Sequence, residues 1–226
     1  MFLALDTSQN SGSIALYADH ALVYSAFFNI SITHSETLMP QIDAALSFCG
    51  YSRIDLEAIV LCKGPGSFTG LRIGMATAKG ISLGLQIPIY TYNSLESTAL
   101  SLYGCGRNIL AVVDAKMKEI YFAKYDEFLN ELVSPRVLEP LDILQMEPQD
   151  CFVIGTAAPA ISEILSAHQI PHRVALPHQN LLHAEALFTL MEIKGQPMAY
   201  DFNSLAELEP EYLRESTAQV LRKKHQ

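Results

Sequence analysis

Basic residues are scarce: 15 Lys and Arg stand against 24 Asp and Glu, a formal charge of −9, and they gather only at Arg222-Lys-Lys224. A surface of that sign repels phosphate backbones, so a role that touches nucleic acid requires a partner to supply most of the contact. The terminal basic run reads as a solvated helix end. Cysteine is equally thin. Cys49, Cys62, Cys105 and Cys151 show no C-x-x-C spacing, and Cys49, Cys62 and Cys151 lie in or beside apolar segments, which predicts reduced, largely structural thiols. No stretch approaches the roughly 18 apolar residues of a membrane span, and the opening Met1-Phe-Leu-Ala-Leu-Asp6 has no basic region ahead of its apolar run. A soluble, cytoplasmic chain without a membrane partner is expected. A Walker A loop is missing too: counted along G-x-x-x-x-G-K-[ST], Gly64 leads to Thr69 and Gly66 to Leu71, and neither reaches a Gly-Lys pair.

What the chain does have is apolar bulk. Half of its 226 residues are hydrophobic, enough for one large core or two of about a hundred residues each. The positive mean hydropathy and modest charged fraction point to an interface, although a well-filled α/β core accounts for them equally.

The most informative segment is Ala58 to Gly74, where an apolar strand runs into Gly64-Pro-Gly66 and then into a glycine-bearing helix. Gly64 and Gly66 allow positive φ, and Ser67 or Thr69 can cap the helix. A strand followed by a helix N-terminus is also an anion-site geometry. Gly64, Gly66 and Gly70 give a loose dinucleotide pattern, but the next strand, Pro88 to Tyr92, ends without the acid that would hold a ribose, so a structural turn is the better reading. Within the helix, Gly70, Gly74, Ala78 and Ser82 form one row at intervals of four, and Ala76, Gly80 and Gly84 a second. Each interior glycine costs a helix about 0.5–1 kcal/mol relative to alanine, so close approach of another helix is the expected compensation. The spacing leaves open whether that neighbour lies in this chain or a partner.

Along the chain, Phe2–Leu5, Ser13–Ala18 and Leu22–Ile30 read as strands. A helix through Leu38, Met39, Ile42 and Cys49 follows, with Thr33 and Glu36 as a capping box and Pro40 as a kink or the true first turn. Strand Ala58–Lys63, the glycine-rich helix, strand Pro88–Tyr92 and helix Ser94–Tyr103 complete a βββαβα half, and Gly104-Cys-Gly106 marks a break. Strands at Ile109–Asp114, Glu119–Asp126 and Leu132–Leu138, a short helix from Leu141, strand Cys151–Gly155, helix Ala158–Ala167, strand His172–Val174 and helix His183–Lys194 repeat the order. The expected fold is α/β, two βββαβα lobes on the plan of the actin, sugar-kinase and heat-shock ATPase (ASKHA) superfold. The expected division is 1–104, 105–206, and a segment 207–226 returning to the first lobe. Fold alone confers no chemistry.

Leu3-Ala-Leu-Asp-Thr-Ser8, His34-Ser-Glu-Thr-Leu-Met-Pro40, Gly64-Pro-Gly-Ser-Phe-Thr-Gly-Leu-Arg-Ile-Gly74, Asp114-Ala-Lys-Met-Lys-Glu-Ile-Tyr121 and Pro210-Glu-Tyr-Leu-Arg214 together resemble the TsaB (YeaZ) family. The glycine-rich segment is the specific one, and the match spans most of the chain. The resemblance implies a noncatalytic subunit, without a cofactor of its own, that pairs with the catalytic paralogue TsaD and works with the ATPase TsaE to place a threonylcarbamoyl group on N6 of the tRNA adenosine beside the anticodon. It implies tRNA contact mainly through partners and ATP or ADP with Mg in the assembled complex, and it leaves open whether the chain alone is a monomer or a homodimer. It also implies an interface on the helices at Ser35–Cys49 and Thr69–Leu85, through Leu38, Met39, Ile42, Gly70, Arg72, Ile73, Gly74, Thr77 and Ala78.

The residues give little chemistry of their own. The family's catalytic paralogue binds metal through two histidines four apart, whereas His34 is followed at that distance by Leu38, so no metal is expected. Asp6, Thr7 and Ser8 after the first strand, with Asp114 and Gly155 in the second lobe, mark where the superfold holds magnesium and nucleotide. Ala115, Lys116 and Met117 stand where glycines would admit phosphates, so a degenerate cleft is expected. Ser67 lacks the second flanking glycine of a nucleophile elbow, and His172, His178 and His183 near Glu185 read as surface histidines. The alternative is a nucleotide-dependent kinase or ATPase that uses Asp6 and Asp114.

Overall fold

The computed structural model describes residues 1–29, 34–195 and 199–214, with His34 and Ser35 as backbone only. The predicted capping residue Thr33, the end of the third strand at Ile30 and the basic run Arg222-Lys-Lys224 lie outside the described residues.

Two five-stranded sheets carry the fold, each with the same strand order. The first comprises β1 (Phe2–Asp6), β2 (Gly12–Ala18), β3 (Ala21–Phe28), β4 (Ala58–Gly64) and β5 (Ile89–Asn93), in the order β3-β2-β1-β4-β5. The second comprises β6 (Asn108–Lys116), β7 (Glu119–Tyr125), β8 (Glu131–Leu138), β9 (Cys151–Ile154) and β10 (His172–Val174), in the order β8-β7-β6-β9-β10. In each, the opening three strands pair antiparallel and the later two add parallel on the far side of the first. The duplicated α/β plan expected from the sequence is the observed one.

The helices are α1 (His34–Phe48), α2 (Phe68–Leu85), α3 (Ser94–Ala99), α4 (Ala158–Ala167), α5 (Glu185–Lys194) and α6 (Phe202–Glu207). Helix α1 starts well ahead of Pro40, which lies inside it and is not its first turn. After Ala99 the predicted helix tightens into a 3-10 turn, Leu100–Leu102, and the helix expected from Leu141 is a 3-10 segment, Pro140–Met146.

Central strands β1, β4 and β6 are buried on both faces, so their alternate side chains feed different cores. Leu3, Leu5, Ile59 and Leu61 meet Leu38, Ile42, Met75 and Ala78 of α1 and α2. Ala4, Val60 and Cys62, on the opposite face, meet Leu187, Phe188 and Met191 of α5. In the second sheet Leu110 and Val112 face α4, while Ile109, Ala111 and Val113 meet Leu95 and Ala99 of α3. The two halves therefore exchange helices: α3 covers the second sheet and α5 the first. Packing does not respect the expected boundary near residue 104, since fully buried Leu95 sits in the second core and Leu187 in the first. After α6, Leu208 packs against the first core and Leu213 against the second.

Candidate functional site

Strand β1 ends at Asp6 and is followed by Thr7 and Ser8, each of the three no more than 1% exposed. Asp6 Oδ1 accepts the Ser8 N–H at 3.0 Å, and the Thr7 hydroxyl donates to the Gly70 carbonyl at 2.8 Å. The glycine-rich loop presses on this turn. Ser67 N–H donates to the Ser8 carbonyl at 2.6 Å, and a Cβ on Gly66 would stand 2.0 Å from that oxygen. Gly64 does have the positive φ expected, 109°, but Gly66 is needed for close approach and not for its dihedral. Ser67 Oγ caps α2 by accepting the Gly70 N–H at 3.3 Å. Behind the turn, burial pushes the Cys62 thiol far up its scale and the neighbouring Asp6 carboxylate pushes it further.

Between the lobes lies a cleft of about 450 Å³, bordered by Ser8, Ser11, Asp114, Thr156, Tyr212 and Arg214 among others. Of the five candidate cleft residues, Ser8 and Asp114 line it; Asp6, Thr7 and Gly155 do not. Asp6 and Thr7 are sealed beneath the loop. Gly155 sits behind the wall, where a Cβ would come within 2.2 Å of the Val112 carbonyl, and its N–H donates to Asn180 Oδ1 at 2.9 Å. Burial raises the Asp114 carboxyl, but Lys116 outweighs it through its ammonium, 2.8 Å from Oδ2, and its N–H, 2.8 Å from Oδ1, so the net shift is downward. These residues do not fit a magnesium–nucleotide held by Asp6, because the N–H donors that would meet phosphate are already used, that of Ser8 by Asp6 Oδ1 and that of Ser67 by the Ser8 carbonyl.

Among the described residues no group of three or more His, Cys, Asp and Glu side chains is placed to hold a metal ion. The side chain of His34 lies outside them. His172 Nδ1 bonds the Ile170 carbonyl and its Nε2 the Ser162 hydroxyl, while His183 lies 3.9 Å from Glu185.

The candidate interface residues divide. Leu38, Ile42, Gly70, Gly74 and Ala78 are buried inside the chain, which corrects the expectation that they present a surface. A Cβ on Gly74 would meet Thr7 Oγ1 at 2.3 Å, so the neighbour that compensates this glycine is the end of β1 and not a second helix. The other row, Ala76, Gly80 and Gly84, is exposed, and an added Cβ at Gly80 or Gly84 meets nothing within 4 Å. With Met39 and Thr77 it borders a groove of about 400 Å³ between α1 and α2. Met39, Ile73 and Thr77 are half-buried, and Arg72 is exposed with its guanidinium 3.9 Å from the Phe68 ring centroid.

Sequence reasoning placed no site residue in 209–214, although Glu211, Tyr212 and Arg214 all border the cleft. Thr156, whose Oγ1 accepts the Asp114 N–H at 3.0 Å, was likewise missed. The motif ending at Arg214 was the available signal for the first group; nothing local marked Thr156.

Residues 29–221 match the family model described as TsaD, tRNA N6-adenosine threonylcarbamoyltransferase. The chain is 29% identical over 227 residues to the tRNA threonylcarbamoyladenosine biosynthesis protein TsaB of Haemophilus influenzae, covering 94% of this chain and 92% of that protein. It is 36% identical over 131 residues to the protein of the same name in Escherichia coli, covering 57% of this chain and 56% of that one. The corresponding alignment with the Bacillus subtilis protein is 33% identical and covers 64% of each chain. Among solved structures, YeaZ from Pseudomonas aeruginosa superposes with a TM-score of 0.77 at 27% identity, over 94% of this chain and 99% of that one.

Proposed function

The chain belongs to the TsaD family of the tRNA threonylcarbamoylation proteins, with TsaB proteins as its relatives, and from that premise we propose that it acts in tRNA threonylcarbamoyladenosine formation as a noncatalytic activator. It docks on a TsaD-like catalytic subunit, works with a TsaE-like ATPase and leaves most tRNA contact to those partners. The observation that carries the noncatalytic part is the sealed end of β1. In a fold whose chemistry centres on an acid after the first strand, Asp6 has no exposed surface and the loop above it is bonded to Ser8. The docking part is supported by the groove at Ala76, Gly80 and Gly84, whose absent side chains leave room for a partner helix at the cost of helix propensity. The acidic balance of the chain supports indirect contact with tRNA.

Purified TsaD-like and TsaE-like subunits, supplied with threonylcarbamoyl-adenylate, should modify tRNA only when this chain is added. Gly80→Leu should abolish co-elution with the catalytic subunit while leaving the thermal transition of the monomer intact. Modification at full rate without the chain, or unchanged co-elution of the variant, would overturn the reading. The competing kinase or ATPase requires ATP turnover by the purified chain that is lost in Asp6→Asn.

A further inference from the structure

Residues 208–214 run, in chain order, from the first core past the cleft wall to the second core and the β6–β7 hairpin. Leu208 packs on the first core. The Glu211 N–H donates to the Lys63 carbonyl at 2.8 Å, while its carboxylate accepts from Asn93 Nδ2 at 3.1 Å and lies 3.4 Å from Lys63 Nζ. Tyr212 packs against Phe68 with centroids 4.7 Å apart and ring planes tilted by 31°, and its hydroxyl accepts from Arg72 Nε at 3.1 Å. Leu213 then packs on the second core. Arg214 Nη1 donates to the Ala115 carbonyl at 2.9 Å and to Glu119 Oε2 at 3.0 Å, and Nη2 lies 2.9 Å from Met117 Sδ.

The two ends of this segment meet unlike structures. Arg72 is on the exposed side of α2, beside the groove assigned above to the partner. Arg214 grips the β6–β7 hairpin, where Lys116, Met117 and Lys118 have φ of 64°, 52° and 66°. Left-handed backbone is disfavoured for any residue with a Cβ, and three such residues in succession persist only where their surroundings over-determine them. Arg214 supplies those surroundings by bonding the carbonyl that enters the turn and the carboxylate that leaves it.

We propose that residues 208–214 form a strap that couples the exposed face of α2 to the second-lobe hairpin at the cleft mouth. Holding Arg72 steadies Tyr212, and Tyr212 is two residues from the guanidinium that holds the hairpin. The identification of what docks on α2 rests on the function proposed above; the coupling within the chain does not.

Hydrogen exchange of the hairpin, followed by mass spectrometry on the full chain, tests it. Arg214→Ala should speed exchange over 115–119 tenfold or more. Arg72→Ala and Tyr212→Phe, the latter removing only the hydroxyl that meets Arg72, should each speed it severalfold while β4 and β6 keep native rates. If those two variants leave the hairpin at its native rate although Arg214→Ala does not, the segment is a local tie and the coupling is wrong. Because this is read without a partner, it is decided whether or not a TsaD-like subunit binds. With that subunit bound, hairpin exchange should slow in the native chain and less so in Tyr212→Phe.

Discussion

Gly74 and Gly80 have the same identity and lie in the same helix, yet they solve opposite problems. Gly74 makes room for Thr7, so Gly74→Ala forces a Cβ into a filled space and should destabilise the fold by about 1–3 kcal/mol in urea titration. Gly80 faces open space, and Gly80→Ala should stabilise by about 0.5–1 kcal/mol through helix propensity alone. Equal effects of the two substitutions would remove the distinction between an inner and an outer row. Asp114 gives a second residue-scale test. Its carboxyl is held below the ordinary value near 4, so its contribution to stability is present above that pH and is lost as the pH falls through the lower folded value. In Lys116→Met the ammonium is lost while the backbone N–H at that position still favours the carboxylate, so the Asp114 midpoint measured by NMR should move upward. An unmoved midpoint would mean that Lys116 does not set it.

Among elements, the exchange of α3 and α5 governs where damage is felt. Leu95 belongs to the first half of the chain but is fully buried with Ile109, Ala111 and Tyr125 of the second sheet. Leu95→Ala should therefore cost about 2–5 kcal/mol and accelerate amide exchange in β6 and β7 more than in β1 and β2. Damage confined to the first sheet would contradict the exchanged packing. That α3 and α5 are helices and that β1, β4 and β6 are strands was readable from the local pattern. Which sheet each helix covers was not, because apolar side chains pack on any apolar surface without preference for their neighbours in sequence.

On the scale of the whole molecule, the lobes share cores and are tied again by Lys194 with Glu96 and by the residues from Glu211 to Arg214. Fragments cut at the glycine break, 1–104 and 105–206, should each fail to fold. The first would leave Ala4, Val60 and Cys62 without the α5 side chains that cover them, and the second would lack Leu95 and Ala99. Circular dichroism and amide NMR dispersion of the separate pieces check this; a folded 1–104 would refute it. The intact chain should unfold in one transition, with calorimetric and van't Hoff enthalpies in agreement.

Sequence alone determined the element order, the duplicated plan, the capped helix after the glycine-rich loop and the family, since these depend on local propensity, hydrophobic period and a specific run of residues from Gly64 to Gly74. Tertiary structure decided which glycine row is inside, that Asp6 and Thr7 lie sealed beneath the loop, that α3 and α5 change lobes, and that Arg214 reaches the β6–β7 hairpin. Those outcomes follow from contacts between residues far apart in the chain, as when Thr7 fills the space beside Gly74, and spacing along one segment carries no information about what will arrive from another.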